Sequence, residues 1–204
     1  AREAFDRTTE HFVASHCVTS DAGYCTLDIE ALLGVPEEIA LRALGSVIEV
    51  VGARNATLNL AKLESLLAAI KERPAASQTL GGCRLQLLEQ GLGVFREARR
   101  SMPIVALAPG GRALWDNRFS VALAPEAPGP VIVKALGDGL SRERRAHFPW
   151  LASVPLQARV ALPACWREGE LLSIPRVLPN SGLGDAHGFS ASFLGARWTG
   201  RNIA

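Results

Sequence analysis

Apolar residues recur every three or four positions in the first part of the chain, a spacing typical of helices with one buried face. Phe5 and Phe12, seven positions apart, predict a helix over residues 1–15. A second helix is predicted between Pro36, which suits a first helical position, and Gly52, which suits a C-terminal stop. Helical structure is therefore expected at the start of the chain.

A third helix is predicted over residues 58–73, where leucine and isoleucine again recur at three and four positions. Lys71 and Arg73 stand near its negative C-terminal end, and Pro74 stops it. The residues expected to face the core are Leu60, Leu63, Leu67 and Ile70.

After Thr79, apolar residues recur at every second position, a spacing typical of β-strands. Leu80–Leu88 alternates apolar and polar residues, Gln90-Gly91 supplies a turn, and Leu92–Arg96 resumes the alternation. This pattern predicts a β-hairpin. Inside its first strand, Gly81-Gly82 indicates a bulge or a close approach of two backbones.

Short strands, turns and short helices are predicted over the rest of the chain. The fold class is therefore expected to be α+β, with a small helical domain over residues 1–77 and a β-rich domain over residues 78–204. The main predicted elements are a turn at Pro109-Gly110-Gly111, strands at 119–123 and 131–136, a helix at 140–146, helical or irregular pieces at 149–152 and 156–160, and a hairpin around Glu168-Gly169.

Composition indicates a globular protein, since 48% of the 204 residues are hydrophobic and 21% are charged. No apolar run approaches the roughly 20 residues that span a bilayer, so no membrane contact is expected. The chain opens AREAFDRTTE, which is no signal peptide, and starts at Ala1 as if already inside a helix. A piece of a longer, cytoplasmic protein is therefore expected, with its oligomeric state open between a monomer and a homodimer.

No metal site is expected from the cysteines and histidines. The four cysteines, at positions 17, 25, 83 and 165, include no C-x-x-C pair and are expected to be reduced and mostly buried. His11 and His16 stand near Cys17 and Cys25 in sequence. They are five positions apart, however, and do not share a helix face well.

Charge is distributed unevenly along the chain. Residues 1–78 carry 7 Lys and Arg against 11 Asp and Glu, a net of −4, whereas residues 79–204 carry 15 against 9, a net of +6. Of the 22 basic residues, 19 are arginine, the side chain best suited to bidentate phosphate recognition. Since codon bias would raise arginine in both halves, the asymmetry is the more informative observation.

Five short motifs of the chain resemble, in the same order, the part of bacterial tRNA(Ile)-lysidine synthases that follows their nucleotide-binding domain. The resemblance covers roughly residues 39–175. The motifs are T-L-G-G-C at 79–83, R-E-A-R at 96–99, W-D-N-R-F at 115–119, L-P-A-C-W at 162–166 and S-I-P at 173–175.

The resemblance implies a ligase that joins lysine to the anticodon cytidine of an isoleucine tRNA after adenylating that base. It implies ATP and Mg²⁺ for the full-length enzyme, with ATP and lysine bound by an N-terminal domain outside this chain. No cofactor is expected in these 204 residues, which are predicted to be non-catalytic alone. Ser181–Asp185 partly matches the family's S-G-G-x-D-S phosphate loop, but Leu183 and Ala186 depart from it and no strand precedes it.

These residues are expected to bind the tRNA. Arginine side chains would contact its phosphates, and an aromatic ring would stack on a base. Two other interpretations stay open: a structural or protein-interaction domain without RNA contact, in which each cluster is a solvated surface, and an enzyme of another type. The latter is disfavoured because no acid, base and nucleophile converge. The candidate RNA-binding residues are Arg96, Arg99 and Arg100; Trp115 and Arg118; and Arg142, Arg144 and Arg145, with His147 beside them.

Overall fold

A computed structural model describes residues 2–53, 58–72, 76–98, 102–175 and 187–197. These residues form two compact units. The first comprises residues 2–20, 24–97 and 195–197, and the second comprises residues 21–23 and 98–194. Helices and three antiparallel sheets confirm the predicted α+β class.

The first unit packs helices against one five-stranded sheet. Its strands lie in the order β1-β2-β5-β4-β3. The elements are α1 (Arg2–His16), β1 (Cys17–Ser20), β2 (Tyr24–Leu27), α2 (Ile29–Gly34), α3 (Glu37–Val51), α4 (Leu60–Glu72), β3 (Gln78–Leu80), β4 (Cys83–Leu88) and β5 (Gly91–Arg96).

Helix α3 lies at the centre of the first unit's core. Its residues Leu44, Val47 and Val51 are fully buried. They share one apolar cluster with the sheet residues Leu85 and Val94 and with residues of the other helices. Burial of this apolar surface is the main favourable contribution to folding of the unit.

The predicted hairpin is confirmed and belongs to the helical unit. Strand β2 pairs with β5, with Cys25 opposite Val94, so the hairpin continues a sheet that begins with the residues after α1. The two units therefore divide after residue 97, whereas the sequence predicted a boundary after residue 77. Pairing between strands far apart in sequence leaves no local periodicity, which is why the pattern did not reveal it.

Two details of the first unit differ from the prediction. Gly81-Gly82 is the turn between β3 and β4, with positive φ at both residues, and not a bulge within one strand. The predicted close approach of two backbones is present, since a Cβ on Gly52 would collide with the backbone carbonyl oxygen of Gly81. Leu60, predicted to face the core, is 58% exposed.

The second unit contains two antiparallel sheets, ordered β11-β10-β9-β6 and β12-β8-β7, and short helices. The predicted strand at 119–123 and the hairpin around Glu168-Gly169 are confirmed. The elements are β6 (Val105–Leu107), β7 (Arg112–Trp115), β8 (Phe119–Leu123), β9 (Val131–Ala135), α5 (Arg142–Ala146), a 3₁₀ helix (Pro149–Ser153), α6 (Leu156–Arg159), β10 (Pro163–Arg167), β11 (Glu170–Ser173) and β12 (Phe189–Phe193).

All four cysteines are buried and none forms a disulfide. The hydrogen bond to Cys25, together with burial, raises the pKa of Cys17. Because the thiolate is the reactive form, a buried thiol of raised pKa reacts slowly. We expect a disulfide reagent at pH 8 to modify almost no thiol in the native chain and four thiols per chain in guanidinium, read by absorbance. Rapid native modification of any one thiol would contradict its burial.

Candidate nucleic-acid interface

The β7–β8 turn holds the first candidate pair, Trp115 and Arg118. Asp116 and Asn117 adopt left-handed backbone conformations there, which Asp and Asn tolerate better than other non-glycine residues. Trp115 is fully buried and donates its indole N–H to the Pro103 carbonyl. A turn was predicted at this position, but its aromatic ring points into the core.

Arg118 is 2% exposed, and its guanidinium donates to three groups of the second unit. Its Nε donates to Asp116 at 2.7 Å. Its two terminal nitrogens donate to the carbonyls of Gly23 and Ala161, each at 3.1 Å. Trp115 and Arg118 therefore do not form the predicted surface platform for a base, because three hydrogen bonds, one of them also an ion pair, hold Arg118 in the core.

The hairpin exit holds the second candidate group. Arg96 is half-buried, and its Nη1 donates to the Gly82 carbonyl at 3.0 Å. This hydrogen bond stabilises the β3–β4 turn. Arg99 and Arg100 lie outside the described residues.

Helix α5 presents the third candidate group, and this one is exposed. The Ser141 hydroxyl caps the helix by accepting from the Arg144 backbone N–H at 3.2 Å. Arg144 and Arg145 occupy the last turn, where the helix dipole favours positive charge. Arg142, Arg144 and Arg145 are all exposed to solvent. The structure therefore brings these three arginines together on one short surface helix.

A cleft of about 460 Å³ opens beside this helix within the second unit. One side is formed by Arg144, His147 and Phe148, and the other by residues of β11 and by His187. The sequence analysis missed Phe148, although it directly follows His147. It also missed His187, whose approach to this helix is long-range and has no local signal.

The chemistry of the cleft suits a phosphate next to a flat ring. Arg144 offers a guanidinium and Phe148 a partly exposed aromatic surface. One carboxylate, that of Glu170, also lines the cleft and offsets Arg144. The excess positive charge therefore comes from Arg142 and Arg145 on the same helix, which also carries one acidic residue, Glu143. Arginine beside an aromatic ring is a common arrangement in proteins that bind single-stranded nucleic acid.

Among the described residues, no group of three or more His, Cys, Asp or Glu residues is placed to hold a metal ion. No described helix is both long and apolar enough to cross a membrane. The phosphate-loop-like segment 181–185 lies outside the described residues.

The two units thus define an α+β protein whose exposed arginines flank a cleft with an aromatic wall. No family model matches the chain. The chain is similar to curated tRNA(Ile)-lysidine synthases, in agreement with the resemblance of its motifs. It is 29% identical to that of Rhizobium meliloti over 124 residues, 27% to that of Wolbachia pipientis over 118, and 22% to that of Rickettsia bellii over 109.

The similarity covers about half of this chain and a smaller share of each relative. The matches span 55%, 57% and 53% of this chain, respectively. They span only 27%, 27% and 25% of those relatives. The chain therefore matches about a quarter of the length of the curated relatives.

Proposed function

We propose that this chain is a tRNA-binding part of an ATP-dependent ligase that attaches lysine to the anticodon cytidine of an isoleucine tRNA. The observation that carries the proposal is the exposed arginine helix α5 beside the cleft with Phe148. The similarity to tRNA(Ile)-lysidine synthases supports the RNA as a tRNA. In this proposal, Arg142, Arg144 and Arg145 contact backbone phosphates, and the cleft receives an unpaired nucleotide.

The proposal assigns no catalytic step to the described residues. Lysine transfer and ATP use, with Mg²⁺, belong in the proposal to a nucleotide-binding domain outside this chain. Among the described residues no cluster offers a set of metal ligands, and the proposal places neither Mg²⁺ nor ATP on them. The contribution of this chain is to hold and orient the tRNA, which places the reacting base for chemistry carried out elsewhere.

Binding through phosphates makes a specific prediction for salt. Each phosphate contact releases condensed counterions, so log K should fall with log salt concentration by roughly 0.7–0.9 per contact. We expect the whole chain to bind an isoleucine tRNA transcript at low salt and to lose affinity steeply as salt rises. Fluorescence anisotropy of labelled tRNA across a salt series measures the slope.

The same measurement is made with two comparison ligands, a DNA duplex and an acidic protein, each with a negative charge similar to that of the tRNA. Binding of tRNA with a steep slope, tighter than that of the duplex, supports the proposal. Absence of tRNA binding at low salt would refute it, and equally tight binding of the acidic protein would favour a protein-interaction domain instead.

A further inference from the structure

A second cleft lies in the first unit and is lined by none of the residues assigned to RNA. It has a volume of about 550 Å³ and is lined by helices α1, α3 and α4. Its lining is acidic, so it does not suit a nucleic acid.

The charge of the cleft is the first observation that points to a ligand. Four carboxylates line it, those of Asp6, Glu10, Glu38 and Glu49, against the single guanidinium of Arg42. This gives a net charge of −3. Arg42 already bridges Asp6 at 3.0 Å and Glu38 at 2.6 Å. In the described part of the chain, Glu10 and Glu49 have no ion-pair partner and are exposed.

Thr9 supplies a second, independent observation. It lines the same cleft and is only 6% exposed, yet its hydroxyl has no hydrogen-bond partner among the described residues. A buried hydroxyl without a partner is unfavourable. A ligand N–H group that reaches this oxygen would gain a hydrogen bond that the chain itself does not supply.

Apolar side chains line the cleft as well. Leu60 is 58% exposed at the start of α4, and Leu63 is half-buried. Gly45 of α3 lies next to Leu63, because a Cβ at position 45 would be 3.4 Å from the Leu63 side chain. The cleft therefore offers methylene-compatible surface in addition to its acidic groups.

The distance between the carboxylates of the cleft, together with their negative charge, indicates which class of ligand fits. Glu38 and Glu49 are eleven residues apart on α3, which corresponds to about 16 Å along the helix axis. A linear molecule with ammonium groups separated by methylene chains fits this pattern. An amino acid such as lysine fits less well, because its carboxylate would meet Arg42, which two carboxylates already engage. We propose that this cleft binds an aliphatic polyamine, independently of whether the chain binds tRNA.

The test is calorimetric titration of the whole chain with spermine, in the absence of RNA. We expect one saturable site. Glu10→Gln and Glu49→Gln should each weaken binding roughly two- to fivefold, as expected for exposed ion pairs, and the double variant should weaken it further. Thr9→Val should also weaken binding, while the thermal midpoint of the chain stays unchanged or rises because an unsatisfied buried hydroxyl is removed.

Two controls separate a site from diffuse charge. Glu64→Gln removes an exposed carboxylate of α4 that does not line the cleft, and should leave affinity unchanged. Titration with L-lysine should give clearly weaker binding than spermine. Equal weakening by Glu64→Gln, or unchanged affinity in the Glu10→Gln/Glu49→Gln double variant, would overturn the proposal, as would lysine binding as tight as that of spermine.

Discussion

Replacing Arg118 by methionine is expected to lower the free energy of unfolding of the second unit by about 3–5 kcal/mol, the usual cost of removing one partner of a buried ion pair. The side chains of Arg118 and Asp116 are each 1% exposed, so the remaining carboxylate would stay buried without its cation. Two backbone carbonyls, those of Gly23 and Ala161, would lose their donors as well. Urea unfolding followed by tryptophan fluorescence measures the loss, since Trp115, Trp150 and Trp166 all lie in this unit.

Two further variants serve as controls for the stability measurement on Arg118→Met. Arg112→Met removes an exposed arginine of the same unit and should change stability by less than about 1 kcal/mol. Adding Asp116→Asn to Arg118→Met should recover roughly 1–2 kcal/mol, because no uncompensated charge is then buried. A loss for Arg118→Met no larger than that for Arg112→Met would show that the ion pair contributes little.

The sequence predicted most elements whose signal is local. The β4–β5 hairpin, β8 and the turn at Glu168-Gly169 follow from alternation and turn chemistry within a few residues. The same approach missed β1 and the sheet that joins β2 to β5, because that pairing depends on residues far apart in sequence. It also placed Leu60 in the core from its helical spacing, although spacing fixes a face of a helix and not what covers that face.

For charged residues of the candidate site, too, the local sequence does not show whether a side chain is buried or exposed. Arg118 and Arg144 are indistinguishable by local composition, since each stands near other polar residues and an aromatic residue. Only the fold separates them: Arg118 meets Asp116 and two carbonyls in the core, whereas Arg144 lies on an exposed helix. Sequence reasoning identified the arginines of α5 but not the cleft beside them. Arg99 and Arg100 stay predictions from sequence.

Changing Arg142, Arg144 and Arg145 together to glutamine is expected to weaken tRNA binding at least about tenfold near 0.1 M salt. Loss of three phosphate contacts should also flatten the log–log salt slope by about 2 to 3. The side chains are exposed, so we expect the free energy of unfolding to change by no more than about 1 kcal/mol. The salt series of labelled tRNA binding and a urea unfolding curve measure both quantities on the same protein.

A triple variant with the same loss of net charge tests whether position matters. Arg7, Lys62 and Arg112 are exposed residues spread over α1, α4 and β7, and none of them lines the cleft beside α5. Their replacement by glutamine removes three positive charges without touching that helix. If tRNA is held at α5, this variant keeps most of the wild-type slope, because a general attraction to the whole chain contributes little once salt screens charges beyond about 10 Å. Equal losses in the two triple variants would mean that α5 is an ordinary solvated surface and that tRNA responds only to net charge.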